Sequence, residues 1–122
     1  MKNLKFRAWS KTEEIMSDVK KIDFNNGEVD ARCFEETEIE EVELMCSTGL
    51  LDKKGAEIFE GDILADLDES GDEIVYLYVI YKDGKFMAVE NEEHGYSADL
   101  IDCTTYHTVV GNIYENAELV GR

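Results

Sequence analysis

Proline is missing altogether from this 122-residue chain, basic residues are scarce, and no apolar run is long. Each shortage excludes something. Without proline there is no Pro-rich linker or spacer. No apolar run approaches the roughly 18 residues of a membrane-spanning helix, so no membrane partner is expected. The opening MKNLKFRAWS has basic residues but no apolar segment of about 7–15 residues behind them, so no secretory leader is expected. The three cysteines, Cys33, Cys46 and Cys103, are odd in number and lack C-x-x-C spacing. In a chain read as cytoplasmic, they are expected to be free thiols rather than disulfides or zinc ligands. Twelve Lys and Arg stand against 29 Asp and Glu, a net charge of −17. Such a polyanion repels phosphate backbones, so direct binding to nucleic acid is not expected. The charge serves solubility, or else an acidic decoy whose carboxylates stand in for phosphates and block a DNA- or RNA-binding protein.

What is present is strand chemistry. The length suits one domain or two small units, and 43% hydrophobic residues can fill a core. Around the centre, Leu44 to Leu64 reads as two apolar runs joined by Asp52-Lys53-Lys54-Gly55, with Gly61-Asp62 bending the chain into a small closed sheet. Leu4, Phe6 and Ala8 alternate with Lys5, Arg7 and Trp9, the period of a half-buried strand. Ser10 to Glu14 turns the chain. Asn25-Asn26-Gly27 predicts a hairpin, because Asn-Gly tolerates positive φ. Residues 35–43 carry six glutamates, with Ile39, Val42 and Met45 at helical spacing but Val42, Leu44 and Cys46 at strand spacing. Helix and strand both remain open there. Ile74 to Tyr81, IVYLYVIY, has no polar interruption and suits an interior strand covered on both faces. Asp83-Gly84 closes it as a hairpin onto Phe86 to Val89. Tyr96 to Ile101 is short and of undecided type. Tyr106 to Ile113 reads as a last strand broken by Gly111, and Asn116 is placed to cap a final helical turn. Many short strands with Gly, Asp and Asn turns indicate a mainly β barrel or sandwich.

Few residues suggest chemistry. Asp66, Asp68, Ser70, Gly71 and Asp72 match the opening of a calcium loop, but its twelfth position is Leu77 where a bidentate Glu is needed. A charged hairpin loop is the simpler reading. His94 and His107 are the only histidines and have no Cys or His at metal spacing. A nucleophile–base pair of Cys46 or Cys103 with His107 would be spatial, with no local motif behind it. No phosphate-binding loop or Ser-centred elbow is present. The aromatics Trp9, Phe59, Tyr76, Tyr78, Tyr81 and Phe86 could line a peptide groove, although strand aromatics more often serve packing.

Three blocks occur in order along the chain. They are Phe6-Arg7-Ala8-Trp9, then Thr48-Gly49-Leu50 through Asp52-Lys53-Lys54-Gly55 to Ile58-Phe59-Glu60-Gly61-Asp62-Ile63, then Val110-Gly111-Asn112-Ile113-Tyr114-Glu115-Asn116 with Glu118-Leu119. Together they resemble the YopX family of small proteins, found mostly in phages and prophages of Gram-positive bacteria. Ser10 stands where an acidic residue often follows the Trp, and Ala117 where proline usually opens the last helical turn. The resemblance implies an N-terminal β-containing subdomain, residues 1–50, and a C-terminal SH3-like barrel, residues 51–122. It also implies self-association and a phage accessory role, and it carries no catalytic residue to transfer.

The expectation is therefore a mainly β, non-enzymatic accessory protein that works by protein contact, with copies of itself among its partners. No catalytic residue, cofactor or metal is assigned. Phe6, Trp9, Tyr76 and Tyr78 are the candidate contact residues. The rivals are the acidic decoy and a small hydrolase or metal-dependent enzyme.

Overall fold

A computed structural model of the chain describes residues 4–67, 73–91 and 95–121. It divides into two compact units, Met1–Ser47 and Thr48–Arg122. The architecture is mainly β, with antiparallel pairing throughout.

The N-terminal unit is built on β1 (Phe6–Ser10), β2 (Ile15–Asp23), β3 (Glu28–Ala31), β4 (Thr37–Glu38) and the first half of β5 (Val42–Leu51), in the order β4-β3-β2-β1-β5. Alternation along β1 decides which face is buried. Ala8 and Ser10 point one way, opposite Leu44 and Val42 of β5, into a core of Ala8, Val29, Ala31, Phe34 and Val42. Ser10 also holds the turn that follows, its Oγ accepting from Glu13 N at 3.1 Å and its carbonyl from Glu14 N at 2.8 Å.

The β2–β3 hairpin lies at the expected place but closes differently. Its loop has four residues, 24–27, and only Gly27 takes a positive φ, +67°. The work falls to Asp23, whose Oδ1 accepts from Asn25 N at 3.0 Å and Asn26 N at 3.1 Å, a side-chain turn that the Asn-Gly pair alone does not reveal. Residues 35–43 are neither one helix nor one strand. They hold β4, a 3₁₀ turn at Ile39–Glu41, and the start of β5. Ile39 packs against the core from the turn and Val42 from the strand, which is why both periods fit.

In the C-terminal unit, the end of β5 lies beside β6 (Glu57–Phe59) in the pairing order. A five-stranded sheet follows in the order β10-β9-β8-β7-β11, from β7 (Asp62–Ala65), β8 (Tyr76–Lys82), β9 (Lys85–Val89), β10 (Ser97–Asp99) and β11 (Thr108–Asn112). The closed barrel expected here is corrected: β10 and β11 end the sheet on opposite sides and do not pair with each other among the described residues. A four-residue helix, α1 (Leu100–Cys103), ends β10 before it can extend round the sheet. The undecided segment after Tyr96 is thus strand, then helix.

Both faces of this sheet are buried. Leu64, Leu77, Val79 and Ala88 lie on one face with Ile58, Leu100 and Cys103; Ile63, Tyr78 and Val89 lie on the other with Leu119 and Val120 packed against them. The β8–β9 hairpin has the expected two-residue turn, with Asp83 at φ +53° and Gly84 at φ +82° between the pair Lys82 and Lys85. Regular pairing in β8 begins only at Tyr76, so Ile74 and Val75 precede the strand and are exposed. No helix among the described residues is long and apolar enough to cross a membrane.

Candidate functional site

Three buried polar side chains hold the loops of the C-terminal unit. Asp52, only 6% exposed, accepts from Lys54 N at 2.9 Å and Ala56 N at 2.8 Å through Oδ1, and from Val109 N at 2.8 Å through Oδ2. One carboxylate thus closes its own turn and pins β11. Burial pushes the Asp52 carboxyl up, but the N–H groups of Val109, Ala56, Lys54 and Gly55 outweigh it and hold the group below its ordinary value. Asp62 accepts from Phe59 N at 2.8 Å across the Gly61 bend, where φ is +83°. Asn112 Oδ1 accepts from Tyr114 N at 3.0 Å and Glu115 N at 2.9 Å.

Asn116 does not cap the last turn through its side chain. The turn is 3₁₀, Ala117–Val120, and Asn116 Oδ1 instead accepts from Asn112 N at 3.1 Å. The amide sits so close over Gly111 that a Cβ there would meet its Cγ at 2.7 Å. Glycine is required at 111 for space.

The thiol and imidazole candidates are occupied otherwise. Cys103 is buried in the core, and burial, then the nearby Asp102 charge, pushes its thiol up, away from the reactive thiolate. His107 Nδ1 lies 3.1 Å from the Cys103 carbonyl, not from the thiol as a nucleophile–base pair needs. Cys46 donates to Ser47 O at 3.2 Å. Cys33 is exposed, and none of the three cysteines is in a disulfide. Among the described residues no three His, Cys, Asp or Glu side chains gather as a metal site. Asp68, Ser70, Gly71 and Asp72 of the calcium-like loop, and His94, lie outside the described residues.

The four candidate contact residues fall in three settings. Phe6 and Trp9 are both half-buried but differ in parity, so they point to opposite faces of β1. Phe6 shares the face of Ala8. Trp9 shares the other face with Arg7, beside its register partners Met16 and Glu43, while Arg7 Nε donates to Met45 Sδ at 3.4 Å. Tyr78 is only 5% exposed, within the second face of the five-stranded sheet, and Tyr76 packs half-buried against the same cluster.

A cleft of about 430 Å³ in the C-terminal unit brings together residues that the sequence did not link, among them Asp66, Leu77 and His107, which it weighed for other chemistry. It is lined by Asp66, Val75, Leu77, Glu90, Tyr96 and His107. Asp66 follows the end of β7, Glu90 follows β9, and the bond from Glu90 N to Tyr96 O at 2.9 Å brings the chain back beside it. In the neutral ring, a carbonyl partner requires Nδ1 of His107 to carry the proton, which leaves Nε2 as an acceptor. The lining has two carboxylates, one exposed aromatic and no Lys or Arg among the described residues.

The sequence matches the family described as YopX protein over residues 5–121. The chain belongs to the YopX family. It is also similar to a crystal structure of protein EF1440 from Enterococcus faecalis, with a TM-score of 0.72 and 28% identity, covering 98% of this chain and 99% of that one. No curated protein matches the chain. Among the residues that carry the YopX resemblance, Asp52, Gly61, Asp62, Asn112 and Asn116 shape turns, and Gly111 makes room for the Asn116 amide. They account for a shared fold, and the cleft residues are not among them.

Proposed function

We propose that this YopX-family chain is a cytoplasmic phage or prophage accessory protein that works by protein contact and associates with itself, without catalysing a reaction. The observation carrying this reading is the face of β1 that bears Trp9. A large aromatic stands there half-buried with Met16, Arg7 and the buried Met45 on the face opposite the N-terminal core, in a strand whose other face already fills that core. Tryptophan and arginine are the residue types that most often anchor interfaces. Support also comes from the employment of the buried polar groups, which hold turns rather than converge on a reacting atom.

Removing the N-terminal strand would be a poor test, because β1 pairs on both sides with β2 and β5. A single Trp9→Ser change is better. Light scattering is expected to show the wild type as an oligomer and the variant as monomer with unchanged β-sheet circular dichroism. A wild type that is already monomeric, or a variant of unchanged mass, refutes the seam.

A further inference from the structure

The cleft between the ends of β7 and β9 has a chemistry of its own. Among the described residues its charged groups only accept, the Asp66 and Glu90 carboxylates; Nε2 of His107 accepts in the neutral ring, and the Tyr96 hydroxyl can accept or donate. Its apolar lining is Leu77 at the base with Val75 and Tyr96 toward solvent, 53% and 58% exposed. Exposed valine and tyrosine beside two carboxylates are not explained by solubility, which charge alone would serve. The surrounding charge disfavours an anionic guest, since the chain carries −17.

We propose that this cleft receives an arginine side chain from a partner polypeptide. A guanidinium offers five N–H donors in a plane, can fork onto a carboxylate, and can lie against a tyrosine ring. A lysine ammonium supplies charge but neither the plane nor the fork. The cavity, about 430 Å³, is large enough to take one long side chain. The proposal rests on the reading that this chain works by protein contact, and it names the chemistry of one partner. It does not involve the Trp9 face, so failure here leaves the mass measurement on Trp9 standing.

The test is an amide-resolved NMR titration at low salt with N-acetyl-arginine amide, N-acetyl-citrulline amide and spermidine as separate probes. Citrulline keeps the shape without the charge, and spermidine the charge without the plane. The arginine probe is expected to give saturable shifts at Val75, Leu77, Tyr96 and His107, with the other two probes at least about tenfold weaker. Glu90→Gln should weaken arginine binding by about tenfold, whereas Glu13→Gln, an equal charge change on an exposed residue of the other unit, should leave it unchanged. Equal response to spermidine, shifts scattered over the acidic surface, or equal loss in both variants would overturn the proposal. The citrulline and spermidine arms use wild-type protein, so they decide the matter even if Glu90→Gln folds poorly.

Discussion

The two units solve the same problem with different economies. The N-terminal sheet has on one face a core of small residues, Ala8, Val29, Ala31 and Val42, closed by Phe34, and on the other face only Met45 is fully buried among the described residues. The C-terminal sheet buries both faces, so every residue of β7 is buried and β8 alternates between two cores, Leu77 and Val79 on one side, Tyr78 on the other. A sheet covered on both sides gains area from every strand position, whereas one covered on a single side gains from every second. The C-terminal unit is therefore expected to be the part that resists unfolding.

The sharpest way to break this contrast is to truncate one buried side chain in each unit. Leu64→Ala, at a position with no exposed surface, should cost about 2–5 kcal/mol. Val29→Ala, equally buried, should cost only about 2 kcal/mol, since fewer carbons leave a smaller core. Urea unfolding followed unit by unit by NMR measures both. Equal losses, or a larger one in the N-terminal unit, would overturn the ranking.

A second comparison sets Asp52 against Asp23, since each closes a turn with its carboxylate, one buried and one near solvent. Asp52→Asn replaces an accepting oxygen by a donor facing an N–H, and a buried unmatched donor should cost about 1–3 kcal/mol. Asp23→Asn should shift the midpoint less. Hydrogen bonds from Asn26 hold the Asp23 carboxyl below its ordinary value too. For a carboxyl lowered on folding, stability is full above the unfolded value, 3.8 here, and drains away as pH falls through the folded one. Acid titration of the wild type should therefore show a loss beginning below that pH, and the loss should shrink in Asp52→Asn. An unaltered acid limb in that variant would show that Asp52 is not its source.

The smallest expected effect is at the β8–β9 turn. Gly84 has φ +82° and open space where a Cβ would stand, so Gly84→Ala should cost about 1 kcal/mol from backbone strain alone. A thermal shift as large as that of Leu64→Ala would mean the turn does more than reverse the chain.

This last turn was also the most legible feature in the sequence, because Asp83-Gly84 places two residues tolerant of positive φ between two strand-like runs. Legibility failed where one side chain served two masters. Residues 35–43 fitted both periods since Ile39 reaches the core from a 3₁₀ turn and Val42 from β5. The unbroken run from Ile74 to Tyr81 correctly implied two covered faces but overstated the strand, as Ile74 and Val75 lie before it. The cleft was out of reach of pattern reading altogether. Asp66, Glu90 and His107 are far apart in the chain, and only the return of Tyr96 beside Glu90 gathers them. That the sheet stays open was equally hidden, since edge-to-edge pairing or its absence leaves no mark on the spacing of apolar residues.

The order β10-β9-β8-β7-β11 has a consequence for synthesis on the ribosome. β7 stays a bare margin until β11, made only after β8, β9 and β10, settles against it and offers its Val109 N–H to Asp52. Until then β7 has one edge of unpaired backbone groups, the kind of margin that invites pairing with another chain.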